Sequence, residues 1–377
     1  MSEWPMVKLG EVADFINGAA FKPTDWSSEG RPIIRIQNLT NPNSPFNRTE
    51  RKVKDLLYVN PGDLLVSWSA TLGVFRWTGQ ERAVLNQHIF KVVPKSIDNV
   101  YLEFGLRFAL QQIEKYLHGA TMRHINRKEF LNLTVPLPTL GEQKRIAEIL
   151  GSIQNAIELT SLQLDDISSS MKIESWTLTR DSPQTQLSHY IKKITSGKSL
   201  KEGNWENFQN CILKISAVTT GFFDDSEIKP LPESYTPQAS HKVNAGDILL
   251  SRANTTELVG ASAIVENAAN NLYLPDKLWK LHIKDDVDTY FFWHLLQTKP
   301  VRSSISKASS GSGGSMKNIS QKSFLNITVP KISREVQNQI GKNIRLQHIL
   351  RSLLIKKLNL LQELQRSLSV RAFAGEL

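Results

Sequence analysis

The chain has 377 residues, 40% of them hydrophobic, enough to bury a sizeable core in two or three domains of ordinary size. Its 46 Lys and Arg against 36 Asp and Glu give a formal charge of +10, a balance that favours a polyanionic partner. No apolar run is long enough to span a bilayer, MSEWPMVKLG lacks the apolar core of a secretory signal, and the single cysteine, Cys211, excludes an intramolecular disulfide framework and a multi-cysteine zinc site, as expected of a cytoplasmic protein.

In chain order, Ile33–Ile36, Leu64–Trp68 and Ile89–Val93 read as short strands and Val100–Leu117 as a helix. A long helix follows from Glu142 to about Thr179, with apolar positions Ile146, Ile149, Ile153, Ile157, Thr160, Leu164, Ile167 and Met171 at heptad spacing. The plan then recurs. Ile212–Ile215, Ile248–Leu250 and Leu278–Ile283 read as strands, Thr289–Gln297 as a helix, and Arg334 to about Val370 as a second long helix carrying Ile340, Ile344, Leu350, Leu354, Leu358, Leu361, Leu364 and Leu368. Gly62-Asp63 and Gly246-Asp247 are turns that feed the middle strand of each set.

The recurrence is literal. FLNLTVP at 130–136 matches FLNITVP at 324–330, PGDLLVSWSATLG at 61–73 matches AGDILLSRANTTELVG at 245–260, and NQHIFKVV at 86–93 matches DKLWKLHI at 276–283, all in one order. The period is too long for a solenoid, so two copies of an α+β domain with a small twisted sheet are expected, each followed by a long helix. Either each helix is an ordinary amphipathic helix of its own domain, or the two pair with each other; duplication favours pairing as an antiparallel coiled coil, which implies a pseudo-two-fold relation and domains at opposite ends of a rod. Charge is split unevenly, with 21 basic against 19 acidic side chains in residues 1–180 and 25 against 17 in 181–377.

Catalytic motifs are missing. No H-x-x-H, C-x-x-C, G-x-S-x-G or Walker A pattern occurs, and Glu227-Ile228-Lys229 lacks an upstream carboxylate that would make it nuclease-like. Gly311 to Lys317 is either a flexible Gly/Ser loop or a cradle of backbone N–H groups for phosphate. Binding remains, and polar clusters stand at the ends of the repeated strands. Arg35, Gln37 and Asn38 carry side-chain types that pair with guanine and adenine edges. Ser67, Trp68 and Ser69 correspond to Ser251, Arg252, Ala253 and Asn254; Asn86, Gln87 and His88 correspond to the region of Asp276 and Lys277; Lys214 and Ser216 end the first strand of the second copy. Basic segments with Arg123, His124 and Arg127, and with Lys317, precede the two repeated heptapeptides. Singly, each is more often a solvated surface residue, and Trp68 and His88 are equally readable as core.

TVPLPTLGEQKRIAEIL at 134–150, the GDLL strand and the terminal SVRAFAGEL together resemble the DNA-specificity subunit of type I restriction–modification systems, over essentially the whole chain. The second copy keeps Val329-Pro330 and Gln337 of the helix-start signature and loses the second proline. The resemblance implies a first target-recognition domain over 1–140, a first conserved helix (spacer and methyltransferase docking) over 141–180, a second target-recognition domain over 181–332 and a second conserved helix over 333–377. It implies a non-enzymatic chain that reads one half of a split, asymmetric duplex site with each domain. Ile146, Ile149, Ile153, Ile157, Leu164, Ile340, Leu354 and Leu361 would serve the paired helices, which act as a ruler and dock two methyltransferase subunits and, through them, restriction and translocase subunits. S-adenosylmethionine, ATP and Mg²⁺ chemistry would lie in those partners, with no cofactor here and no membrane. A coiled-coil adaptor without DNA readout, or the specificity chain of a methylation-only defence system, are the alternatives.

Overall fold

A computed structural model describes residues 4–377 apart from 42, 70, 117–126, 180–181, 207, 270 and 312–315, with 113–116 and 172–179 as backbone only. The chain forms two compact units, Met1–Ser161 with Lys356–Leu377, and Leu162–Ile355. Among the described residues no helix is long and apolar enough to cross a membrane.

Each unit is built on a four-stranded antiparallel sheet. In the first unit its order is Ala13–Asn17, Ile89–Pro94, Leu64–Ser67, Gly73–Arg76; in the second it is Ile191–Ser196, Leu278–Ile283, Ile248–Ser251, Ser262–Ile264. The earliest expected strand of each copy does not join it. Arg31–Ile34 and Cys211–Leu213 sit inside a second sheet, paired in parallel with Ala83–Leu85 and Leu272–Tyr273, and the chain beyond them coils into helical turns at Ile36–Thr40 and Ile215–Val218. One small sheet per copy is therefore corrected to two sheets of three or four strands, with two-stranded pairs beside them. The cause is burial on both faces of the middle strand. Leu64 and Val66 face one core with Phe90 and Val92, while Leu65 faces another with Ile34 and Leu85; Ile248 and Leu250 likewise part from Leu249. Successive side chains point to opposite faces, so an unbroken apolar strand needs a layer on each side.

The Gly-Asp turns have a tight physical requirement. Gly62 and Gly246 both adopt φ 88°, a left-handed conformation that costs a residue with a Cβ and not glycine. The aspartate that follows accepts a backbone N–H, from Asn60 at 2.8 Å or Asn244 at 2.9 Å, and an ion pair, from Lys91 at 2.7 Å or Lys280 at 3.1 Å. Each lysine also donates to a carbonyl, that of Tyr58 at 2.8 Å or Lys242 at 2.6 Å. These ammonium groups lie between the two layers, where partners must replace water.

Helices Asn99–Tyr116 and Thr289–Gln297 begin at aspartates. Asp98 Oδ1 accepts from Tyr101 N, and Asp288 Oδ1 from Phe291 N, both at 2.9 Å. The long helices run Leu140–Thr179 and Arg334–Ala374. The glutamine in the first turn of each is buried and clamped identically. Gln143 donates to Pro138 O and accepts from Asp98 N, both at 2.8 Å; Gln337 donates to Ile332 O at 2.8 Å and accepts from Asp288 N at 3.2 Å. That clamp fixes where each helix leaves its domain, and it accounts for a glutamine surviving in both copies.

The helices run antiparallel in each unit. In the first, Ile146, Ala147 and Leu150 share a core with Ala372 and Phe373, and Gln365 donates to Gln154 at 2.8 Å. In the second, Met171 packs on the core that contains Ile344, and Gln347 donates to Ser170 at 3.2 Å. Every expected seam position of the first helix is buried or half-buried, as are Ile340, Leu354 and Leu361 of the second. Leu350 and Leu364 are exposed instead. The inward places beside them go to His348, Arg351 and Gln365, so the register passes through polar residues that an apolar pattern cannot detect.

His294, buried in the helix Thr289–Gln297, has its pKa pushed down to about 4 by burial. Its unfolded value is 6.5, so the stability it contributes is complete above pH 6.5 and is lost as pH falls toward 4. The unfolding free energy of the second unit should drop by about 2 kcal/mol between pH 7 and pH 5 on this account. Urea midpoints of wild type and His294→Leu at both values test it: equal pH slopes in the two proteins would remove the assignment.

Candidate nucleic-acid interface

The hydrogen bonds at the strand ends place the two copies in register. Trp68 N donates to His88 O at 3.4 Å and Arg252 N to Lys277 O at 3.0 Å, so Trp68 stands where Arg252 stands, and His88 where Lys277 stands. The parallel pairs Ile33–Val84 and Ile212–Tyr273 equate Arg35 with Lys214 and Gln37 with Ser216. Sequence distance thus collapses at one end of each unit.

In the first unit Arg35, Gln37, Asn86 and His88, with Ile36 and Ile89, line a surface cleft of about 180 Å³. Gln37 and Gln87 are exposed, Gln87 Nε2 lies 3.0 Å from His88 Nε2, and Asn86 Oδ1 accepts from Gln87 N at 2.7 Å. Arg35 lies over Trp26 at 5.9 Å. Trp68 stacks on Phe90 at 5.6 Å, meets His88 edge-on at 5.4 Å, and donates to Asn17 Oδ1 at 3.3 Å. Its ring is a wall shared between core and surface. Arg127 is exposed and reaches Phe15 O at 3.4 Å from the start of a short helix.

Three expected residues belong to the interior. Ser67 is buried and donates to Thr71 O, and Ser69 is buried as well. Asn38 is buried, donating to Ser44 O and Pro45 O at 3.2 Å and accepting from Arg35 N at 3.1 Å. A short polar side chain beside a turn closes backbone bonds locally, which is why these look like readers in sequence. Arg123, His124 and the middle of the loop from Gly311 to Lys317 lie outside the described residues.

In the second unit the strand Ala253–Asn254 pairs with Lys317–Asn318, bringing Asn254 opposite Lys317. Arg252 Nε donates to Asp276 O at 2.8 Å, Asn254 accepts from Thr255 N at 2.9 Å, and Lys277 is half-buried beside them. Lys214 and Ser216 are exposed and both turn to Glu227, the lysine at 3.8 Å. Glu227 is a site residue that its E-x-K pattern concealed; the lysine of that pattern, Lys229, points away to Leu200 O at 3.0 Å. Trp26 and Asn17 were also missed, because nothing in sequence marks a residue that props another.

The first surface is thus aromatic and amide-rich, the second cationic, matching the basic excess of residues 181–377. Cations and backbone amides suit phosphates, and exposed amides, guanidinium groups and rings suit base edges and faces.

Residues 1–168 match the family described as the type I restriction modification DNA specificity domain. The MjaVIII type I restriction enzyme specificity subunit of Methanocaldococcus jannaschii is 25% identical over 375 residues, spanning 91% of this chain and 85% of that one. The EcoKI specificity subunit of Escherichia coli strain K12 is 24% identical over 424 residues, spanning 99% and 89%. The crystal structure of a type I restriction–modification S subunit from M. genitalium covers 98% of this chain and 96% of that one with a TM-score of 0.65 at 14% identity, which is a shared fold. With its tandem units, antiparallel helices and repeated strand-end surfaces, the chain is similar in sequence and in fold to the DNA-specificity subunits of type I restriction–modification systems.

Proposed function

We propose that the chain is the non-catalytic DNA-reading subunit of a type I restriction–modification complex acting in the cytoplasm, with one recognition domain on each half of a split, asymmetric duplex site. One observation carries this reading: the same strand-end surface occurs in both units at the same register with different side chains, Arg35 against Lys214, Trp68 against Arg252 and His88 against Lys277. A frame repeated with altered contents is what two different half-sites require. Arg127, Lys317 and neighbouring cations hold phosphates and set orientation, while Gln37, Asn86, Gln87, Arg252 and Asn254 face the bases.

The helices set the distance between half-sites and dock two adenine methyltransferase subunits, which bring S-adenosylmethionine; restriction subunits that use ATP and Mg²⁺ join through them. Ile146 and Leu354 are buried and so offer no surface to a partner. Docking surfaces are drawn instead from outward apolar side chains, Leu159 and Leu360 in the first unit and Leu162, Leu346 and Leu353 in the second.

Adenine-methylation mapping by long-read sequencing, in the native host with and without this chain, tests the reading. One split, asymmetric motif should disappear on deletion. An unchanged methylome, together with no duplex binding by the purified complex, would establish an adaptor instead.

A further inference from the structure

The two copies differ at the joint between recognition domain and long helix. In the second unit, His348 on the long helix lies with Nε2 2.8 Å from Glu266 Oε1, just beyond the strand Ser262–Ile264. Ser352, one turn on, reaches the other carboxylate oxygen at 3.4 Å. The imidazole is stacked on Phe222 at 5.1 Å and 16° and meets Trp293 and Tyr290 edge-on at 5.0 and 5.9 Å. Arg351 covers Phe222 at 3.3 Å, and Arg345 lies 5.8 Å over Tyr290. His348 is 2% exposed, and its ring is held between one carboxylate and three aromatic side chains, two of which are covered by guanidinium groups.

The first unit supplies the comparison. Gln154 follows Gln143 by as many residues as His348 follows Gln337, and Glu103 follows Asp98 as Trp293 follows Asp288. Gly62 N donates to Trp77 O as Gly246 N donates to Val265 O, so Thr78 stands at the place of Glu266. There the space is not filled. Thr78, Glu103 and Gln154, with Phe46, Trp77 and Arg107, line an open cleft of about 960 Å³ between domain and helix.

We propose that Glu266 and His348 are a positioning pair, a latch that fixes the attitude of the second recognition domain on its helix and thereby narrows the range of half-site spacings the protein accepts. The first domain carries no such latch. This rests on the two-reader function proposed above. Burial and Arg351 lower the pKa of His348 while Glu266 opposes them, so the neutral ring donates from Nε2 to the carboxylate. The carboxylate is partly open to water while the imidazole is 2% exposed, so sliding at the joint would strip the buried, aromatic-walled ring of its hydrogen-bond partner, which resists rotation more than apolar contact alone.

The test uses the complex with its methyltransferase subunits and competing duplexes that carry the native gap or one base pair more or fewer. Glu266→Ala and His348→Ala should each cut the preference for the native gap by about tenfold, the worth of one such hydrogen bond, with both half-site sequences unchanged. Glu266→Gln keeps an acceptor and should retain the preference. The double substitution Thr78→Glu with Gln154→His should sharpen discrimination from the first unit, and it decides the matter if the alanine variants fail to fold. Undiminished gap preference in folded alanine variants, or no sharpening by the double variant where they do not fold, would overturn the latch. Failure of wild type to bind any split site would instead sink the two-reader function and is read separately.

Discussion

Replacing Asp247 by Ala should destabilise the second unit by about 3–5 kcal/mol, the usual cost of stranding one charge of a buried pair. Lys280, whose side chain is 6% exposed, would keep only the Lys242 carbonyl, and its 19% exposed partner would be gone. Lys280→Met removes the charge along with the bond and fills the same space with apolar atoms, so it should cost far less than Asp247→Ala. Loss of the native core, followed by urea titration of the fluorescence of Trp279 and Trp293, measures both. Equal costs for the two variants would show that the pair works as packing and not as a charge. The matching Asp63→Ala should cost less, because Lys91 and Asp63 are both more open to water.

Exchanging residues 1–140 for the corresponding segment of a type I specificity subunit that reads another sequence should replace one half of the methylated motif and leave the other untouched. Loss of the original half-site should be complete, since each mismatched base pair costs about 1–3 kcal/mol and several accumulate. The structure states two conditions for the graft. The donor must present a backbone N–H at the place of Asp98, hence any residue but proline, because Gln143 remains behind and accepts from it. It must also present a pocket for Phe373, which stacks on Phe108 at 4.9 Å and lies 5.4 Å from Tyr101. Methylation mapping of the hybrid reads the outcome; a change in both halves, or in neither, would contradict independent readers.

Much of this plan was legible because duplication made weak signals strong. The FLNLTVP and FLNITVP matches, the two Gly-Asp turns and the first heptad run located both domains and the helix between them. Failures came where tertiary context overrode a local pattern. Ile36 and Ile215 extend apolar runs, yet the chain coils there because the second layer ends. Leu350 and Leu364 fit a heptad, but the inward places belong to His348, Arg351 and Gln365, whose partners lie on other elements. Nothing local marks Lys91 as half-buried or Lys280 as buried; only their recurrence beside a repeated Gly-Asp could have flagged them. At the candidate interface the repeated strand ends led to surfaces that the fold places in the same register, but Ser67 and Asn38 serve turns, Glu227 stands in a pattern that suggests another chemistry, and Asn17 and Trp26 carry no sequence mark.

The first unit is assembled from both ends of the chain, and this orders its biosynthesis. When Ser161 leaves the ribosome, Tyr101, Phe108 and Ile146 still lack Phe373 and Ala372, which complete their core. All of the second unit must be translated first, a wait of about 10–40 s at ordinary elongation rates. The domain made earliest is therefore the last to close, and meanwhile it offers an unfinished apolar surface to chaperones. Premature termination late in the message would spare the second unit and cripple the first, so a truncated product would lose the reader encoded farthest from the lesion.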